Sequence, residues 1–433
     1  MNPNSKNLHF AFLNFFRYES SSGILLFFLT ILAFVISNSK GNPYYQSFLE
    51  YKFKIGFENF YLEKSLLLWI NDALMSFFFF LVGLEIKREI LVGELKDFKK
   101  ATLPIGAALG GMILPAVLFL ILHGDRPGKE GWGIPMATDI AFSLSILKLL
   151  GDQVPITSRI FLTAFAIIDD LGAILIIAFF YSSSINYLSL GFAFFVILLL
   201  AFINYLDIRN LSIYLILGVL LWILFLKSGI HPTIAAVILA FAIPAKPKGD
   251  IAYFLDKLEK TKEELKKNIE PKNQILLKDE QIETIEELNQ SLRSIQSPLQ
   301  KLENQFHGFV AFFVMPIFAF ANAGVEVSTE SFSILSFNIA SSLVLGKLIG
   351  ILLGVYICTK LFKINLPENN NWMHYFGLAF LGGVGFTMSL FINNLAYTEI
   401  KLIEEAKIGI LIGSMISGIS GYAILKISQR KKY

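Results

Sequence analysis

The sequence predicts an all-α polytopic membrane protein of about twelve transmembrane helices. Three observations lead there. Apolar runs of about 20 residues, long enough to cross a bilayer, recur along the whole 433-residue chain. Composition agrees, with 55% hydrophobic and only 16% charged residues and a mean hydropathy of +0.61. A soluble chain of this length would divide into several domains and carry far more surface charge. Finally, two runs, one in each half of the chain, are broken at mid-depth by proline or glycine next to polar residues, the pattern of a transporter built from inverted repeats.

The spans are centred near residues 30, 78, 112, 141, 169, 194, 218, 238, 317, 348, 384 and 415. The first apolar run, Gly23 to Asn38, lacks a small-residue cleavage site and reads as a retained helix. The preceding HFAFLNFFRY, residues 9–18, is expected to lie along the interface. Between Lys40 and Ser65 the alternation of Phe53, Ile55 and Phe57 favours a short exported hairpin. An even number of spans puts both termini on one side. Lys87, Arg88, Lys96, Lys99 and Lys100 after span two, Arg159 after span four, Lys246 and Lys248 after span eight, and Lys426, Arg430, Lys431 and Lys432 at the end make that side cytoplasmic. Lys401 and Lys407, on the opposite side, are balanced by Glu399, Glu404 and Glu405.

Residues 246–306 change character, to DKLEKTKEELKK and DEQIETIEELNQSLRSIQ. Apolar residues at helical spacing among opposite charges predict a cytoplasmic helical insertion between spans 1–8 (residues 1–245) and spans 9–12 (residues 307–433). It reads either as a simple connector or as a regulatory or partner-binding surface. A net charge of +3 gives no reason to expect nucleic acid, and the single Cys358, within an apolar run, reads as packing.

The chemistry lies in four spans. FLTAFAIIDDLGAILIIAFF, residues 161–180, places Asp169 and Asp170 at the middle of span five. Each acid at the centre of a spanning helix costs about 2.5–3.5 kcal/mol. In span four Pro135 is followed by Thr138 and Asp139, and in span eleven Gly382, Gly383 and Gly385 precede Thr387. Irregular backbone at this depth must be buried in protein or line a wet cavity. The glycines read as forced by an unwound backbone. Lys347, deep in span ten, needs an anion, and one lysine among three carboxylates leaves negative charge for protons or metal cations. Adjacent helical residues point about 100° apart, so Asp169 and Asp170 need different partners. One can bind a cation while the other pairs with Lys347 or meets Asp139. Carboxylates suit a hard cation such as sodium, with the Thr138 hydroxyl or freed carbonyls completing its shell. Asp72 reads as a wet interfacial acid, His231 as a structural histidine or a pH sensor, and Glu85, Lys87, Arg88 and Glu89 as a charged helix end.

These residues resemble the bacterial NhaA-type sodium/proton antiporters. The likeness runs through essentially all the spans, on NDALMSFFFFLVGLEIKREI, PMATDIAFSL, FAIIDDLGAI, LKSGIHPTIA, FANAGV, GKLIG and GGVGFTMSLFI. It implies that Asp170 is the central sodium and proton carboxylate, and that Asp169 is its neighbour, associated with Lys347. Thr138 and Asp139 would lie where the two broken helices, spans four and eleven, cross at mid-membrane. Asp139 would offset half-helix N-termini and Lys347 the C-terminal ends. It further implies electrogenic exchange with more protons entering than sodium leaving, acceptance of lithium, and activation at alkaline pH with Glu85 and Glu89 in the sensing cluster. A homodimer through the exported hairpin, residence in the inner membrane, no cofactor and no enzyme chemistry also follow. The insertion is longer than in the best-known members.

Three other functions compete. A sodium-coupled organic-anion symporter of related architecture would need a large polar cavity and no Lys347. An intramembrane aspartyl protease would need its acids on two facing helices. A passive channel would need a selectivity filter, and no such motif is apparent.

Overall fold

Chain order in this computed structural model follows from where apolar runs meet caps and breaks. It describes residues 19–430 except 58–59, 152–153, 183–184, 248, 268–278, 328–331, 362, 365 and 367–370. The segment 9–18 expected at the interface, and Lys248, Lys431 and Lys432, lie outside the described residues.

Helix α1 (Glu19–Ser37) turns sharply into α2 (Asn42–Glu50). An antiparallel hairpin follows, β1 (Lys52–Phe57) against β2 (Phe60–Ser65), in register from Lys52↔Ser65 to Phe57↔Phe60. The expected hairpin between Lys40 and Ser65 therefore shares that stretch with a helix. Ser65 then caps α3 (Leu66–Leu91), and Asp97 caps α4 (Phe98–His123). A 3-10 segment (Lys129–Met136) leads through extended Ala137–Asp139 into α5 (Ile140–Leu149). After α6 (Ile156–Phe180) come α7 (Tyr187–Tyr205) and α8 (Leu211–Ser228), each capped by an asparagine. Gly229, at φ 85°, ends α8, and α9 (Thr233–Ala242) is short. Helices α10 (Ile251–Lys267) and α11 (Asp279–Ile295) pair across Lys257 and Glu287, 3.1 Å apart. They are followed by α12 (Pro298–Ala323), α13 (Ile334–Leu361), α14 (Trp372–Gly382), α15 (Phe386–Ala396) and α16 (Ile400–Arg430).

Among the described residues, eight helices are by length and composition long and apolar enough to cross a membrane alone, or up to ten spans if each bent pair counts as one. The gap from the expected twelve has a physical cause. Span four is a 3-10 segment plus the ten-residue α5, and span eight is the ten-residue α9. Ten helical residues cover only about 15 Å of a hydrocarbon layer about 30 Å thick. Span nine begins earlier than expected: Ser297 caps α12, so residues 298–306 belong to its helix rather than to the insertion.

Packing divides the helices into two groups. One buried cluster draws on α3, α7, α8, α9 and α12, and another on α4, α5, α6, α13, α14 and α16, with a third joining them. Within the second group α4 and α13 meet through small residues. A Cβ on Gly110 would stand 2.0 Å from the Gly350 carbonyl oxygen, and one on Gly354 would stand 2.0 Å from that of Gly106. Such contact is how helices associate when lipid removes any hydrophobic drive between them. It also places Lys347, one turn from Gly350, at the middle of the molecule. Cys358 packs beside Gly106 in the same seam.

Candidate functional site

The two interrupted spans meet at their breaks. The Asp139 amide donates to the Val384 carbonyl at 2.7 Å, the Thr138 hydroxyl to Gly382 O at 2.7 Å, and the Ser143 hydroxyl to Leu381 O at 2.8 Å. Each unwound stretch thus satisfies backbone groups that the other leaves open, which lets both persist without water. The glycines are needed for space and not for conformation. Gly383 and Gly385 have φ of −80° and −90°, open to any residue. A Cβ on Gly383 would lie 2.9 Å from Leu343 O, however, and one on Gly385 3.0 Å from Ala137 O. The expectation that an unwound backbone forces these glycines is corrected accordingly.

Asp139 serves two helix ends at once. One oxygen accepts from the Phe142 amide at 2.9 Å, at the start of α5. The other accepts from the Thr387 amide at 3.0 Å and from the Thr387 hydroxyl, at the start of α15. A carboxylate facing two positive helix termini is well placed electrostatically.

Lys347 is fully buried and donates to both oxygens of Asp169, at 3.0 and 2.9 Å, and to the Thr138 hydroxyl at 2.8 Å. It reaches the C-terminal end of α14 only through Thr138, whose own hydrogen goes to Gly382 O. A buried pair of this kind persists because geometry and added hydrogen bonds offset desolvation.

Asp170 is different. It is 1% exposed, and neither carboxylate oxygen has a hydrogen-bond partner. Asp169, Asp139, Glu85 and Lys347 are the charges close enough to act on it. Among the buried aspartates of the described residues (Asp72, Asp139, Asp169 and Asp170), it alone is bare. No group of three or more His, Cys, Asp or Glu forms a metal cage among the described residues.

Other expected residues lie elsewhere. Glu85 and Glu89 sit near the end of α3, where Glu89 accepts from the Glu94 amide at 3.0 Å. Arg88 lies 2.9 Å from Glu89 and 3.0 Å from Glu303 on α12. Lys87 donates to Phe241 O and Ile243 O, closing the end of α9. At the hairpin end His231 is hydrogen-bonded to Thr233 at 2.8 Å, stands 3.5 Å from Asp72 and packs against Phe391. Asp72, expected to be wet, is 7% exposed, because Lys64 from β2 folds onto it as an ion-pair partner.

Sequence reasoning missed several partners. Glu303 fell within the expected insertion, and Lys64 within the expected hairpin, with no partner foreseen for either. A relay of asparagines, Asn394 donating to Asn322 at 2.6 Å at a half-buried site and Asn322 to Asn71 at 2.9 Å in the interior, joins α15, α12 and α3. The spaced glycines of α4 and α13 were the signal for Lys347's seat. Both Asp72 and the residues before Lys347 lie in π-helical turns, Ile70–Leu74 and Ser342–Gly346, an irregularity frequent at functional sites.

Comparison with known proteins bears on this arrangement. The family described as "Na+/H+ antiporter 1" matches residues 13–425. The chain belongs to the NhaA family of sodium/proton antiporters. It is 45% identical over 425 residues to the Na(+)/H(+) antiporter NhaA of Oleidesulfovibrio alaskensis, covering 97% of this chain and 94% of that protein. It is 43% identical to Na(+)/H(+) antiporter NhaA 2 of Helicobacter hepaticus, covering 98% and 97%. A Helicobacter pylori NhaA is 45% identical over 94% of this chain and 93% of its own length. The antiporter is thus a multi-pass membrane protein that exchanges sodium for protons, and nothing favours the organic-anion symporter.

Proposed function

We propose that this antiporter works by alternating access around Asp139, Asp169, Asp170, Thr138 and Lys347, with Asp170 carrying either sodium or protons. The bare, buried carboxylate of Asp170 beside the satisfied pair of Asp169 and Lys347 carries this reading. An isolated ionised carboxylate in so dry a setting is costly, so it should be met by a proton or a cation. Sodium entering from the cytoplasm displaces protons, the helices around the crossing tilt, and protons outside displace sodium in return. Asp169 joins in binding sodium when Lys347 releases it, with Thr138 able to follow because its hydroxyl already contacts Lys347. Asp139 holds the two half-helix ends together during the movement. More protons enter than sodium leaves, which makes exchange electrogenic, and lithium substitutes for sodium.

The test uses inside-out vesicles with an acid interior and a fluorescent pH dye. Sodium and lithium, but not potassium, should restore fluorescence in the native protein, and Asp170→Asn should give no recovery. Exchange at normal rate by Asp170→Asn would overturn the assignment.

The same reading places the antiporter in a bacterial inner membrane, both termini cytoplasmic, without a cofactor or enzyme chemistry. The charged stretch from 246 to Ser297 is then a cytoplasmic insertion separating residues 1–245 from the span-nine helix that begins at Pro298. Glu85 and Glu89 respond to alkaline pH at one end of the molecule, and His231 at the other. The hairpin supports a homodimer: its two strands pair only with each other, and Phe53 and Ile55 are half exposed. Open strand edges with apolar side chains favour pairing with another copy.

A further inference from the structure

A cavity of about 610 Å³ lies between α1, α5, α15 and α16, and neither sodium nor protons have a use for it. Helices α1 and α5 touch closely where Gly23 meets Ser145, and the cavity fills the space between them further along. At its rim, Phe27 and Ile31 of α1 and Met415 and Ile419 of α16 are exposed on membrane-crossing helices. Its inner wall is Phe142, Ile146 and Phe386. No charged residue lines it, and the hydroxyls of Thr30 and Ser414 are engaged, the first donating to Leu26 O at 2.8 Å and the second accepting from the Phe386 amide at 3.0 Å. With only the Tyr422 hydroxyl besides these, the lining falls short of the about two to four partners a buried water needs. The cavity is instead continuous with the face that the protein turns to hydrocarbon.

We propose that an acyl chain of a bilayer phospholipid occupies this cavity and acts as a wedge between α1 and the crossing of the broken spans. The inner wall makes the wedge consequential. Rings of Phe27 and Phe142 lie 6.3 Å apart, and those of Phe142 and Phe386 5.6 Å apart, so an aromatic series runs from the lipid face inward. Phe142 gives its amide to Asp139, and Phe386 is the first residue of α15. A chain pressing on these rings bears on the backbone at both breaks. Its presence sets how easily α5 and α15 shift against α1.

The test places the full-length protein in vesicles containing phosphatidylglycerol with a photoactivatable diazirine at mid-chain, followed by irradiation and peptide mapping. Adducts are expected on the recessed segment Phe142–Ile146, beside ordinary bilayer adducts on α7. Ile31→Trp and Met415→Trp, which enlarge two side chains of the cavity lining, should each remove most Phe142–Ile146 adducts, leave those on α7 unchanged, and alter the sodium/proton exchange rate in the dye assay. The wedge is overturned if Phe142–Ile146 is labelled no more than background, or as strongly in both variants as in the native protein. It is overturned too if the cavity residues cross-link to residues 9–18 or to a second copy of the chain, which would name a different occupant. Loss of adducts without any change in exchange rate would refute the mechanical role.

Discussion

Asp72 and Asp170 are both buried acids in membrane-crossing helices, and they have opposite surroundings. At the hairpin end Asp72 is closed on both sides, by Lys64 and by His231. At mid-depth Asp170 has neither oxygen engaged, although Asp139 and Asp169 beside it are fully satisfied. Burial of an acid is therefore not by itself a mark of ion transport. What separates the two regions is whether the fold supplies the counter-charge or leaves it to be brought in.

The sharpest way to break this comparison is to neutralise each acid. Asp170→Asn should abolish sodium/proton exchange in the vesicle assay while the protein stays folded. Its thermal stability should hold or rise, since removing a bare charge from the bilayer centre relieves at most about 2.5–3.5 kcal/mol. Lys347→Ala strands Asp169 instead, and the loss of one partner from a buried pair should cost about 3–5 kcal/mol. That is readable as a large fall in melting temperature in detergent, and adding Asp169→Asn should return much of it. Asp72→Asn leaves Lys64 underpartnered and should cost about 1–3 kcal/mol with exchange retained. Loss of exchange with stability intact in that variant would erase the distinction between the two regions. The smallest effect is expected at the exposed hairpin, where Ile55→Glu should change protomer stability by less than about 0.5 kcal/mol. Cross-linked dimers should nevertheless disappear on gel electrophoresis.

The two regions also differ in how far they could be read in advance. Asp169, Asp170, Asp139 and Lys347 stand out because a charge inside an apolar run has no other account. Asp72 and His231 could each be named but not joined, since an acid near a helix start looks wet until a lysine from a neighbouring hairpin is folded over it. Glu303 was hidden for a similar reason. Its stretch is charged enough to pass for the insertion, and only the Ser297 cap shows that the helix of span nine has already begun. The glycines of span eleven were noticed for the right place and the wrong reason, because local sequence cannot reveal that a carbonyl from another span lies where a Cβ would go.

Sequence alone determined that this chain crosses a membrane many times, where its two spans break, and which buried charges demand an account. Each is a matter of local composition, since lipid penalises charge and unpaired backbone wherever they occur. Local composition left open which carboxylate is bare, and the family resemblance alone pointed to Asp170. The physical distinction comes from tertiary structure, where α13, held against α4 by glycine-to-backbone contact, presents Lys347 to Asp169, and α15 brings Thr387 to Asp139. Lys347 lies 178 residues from Asp169 and Thr387 248 residues from Asp139, and only packing brings them together.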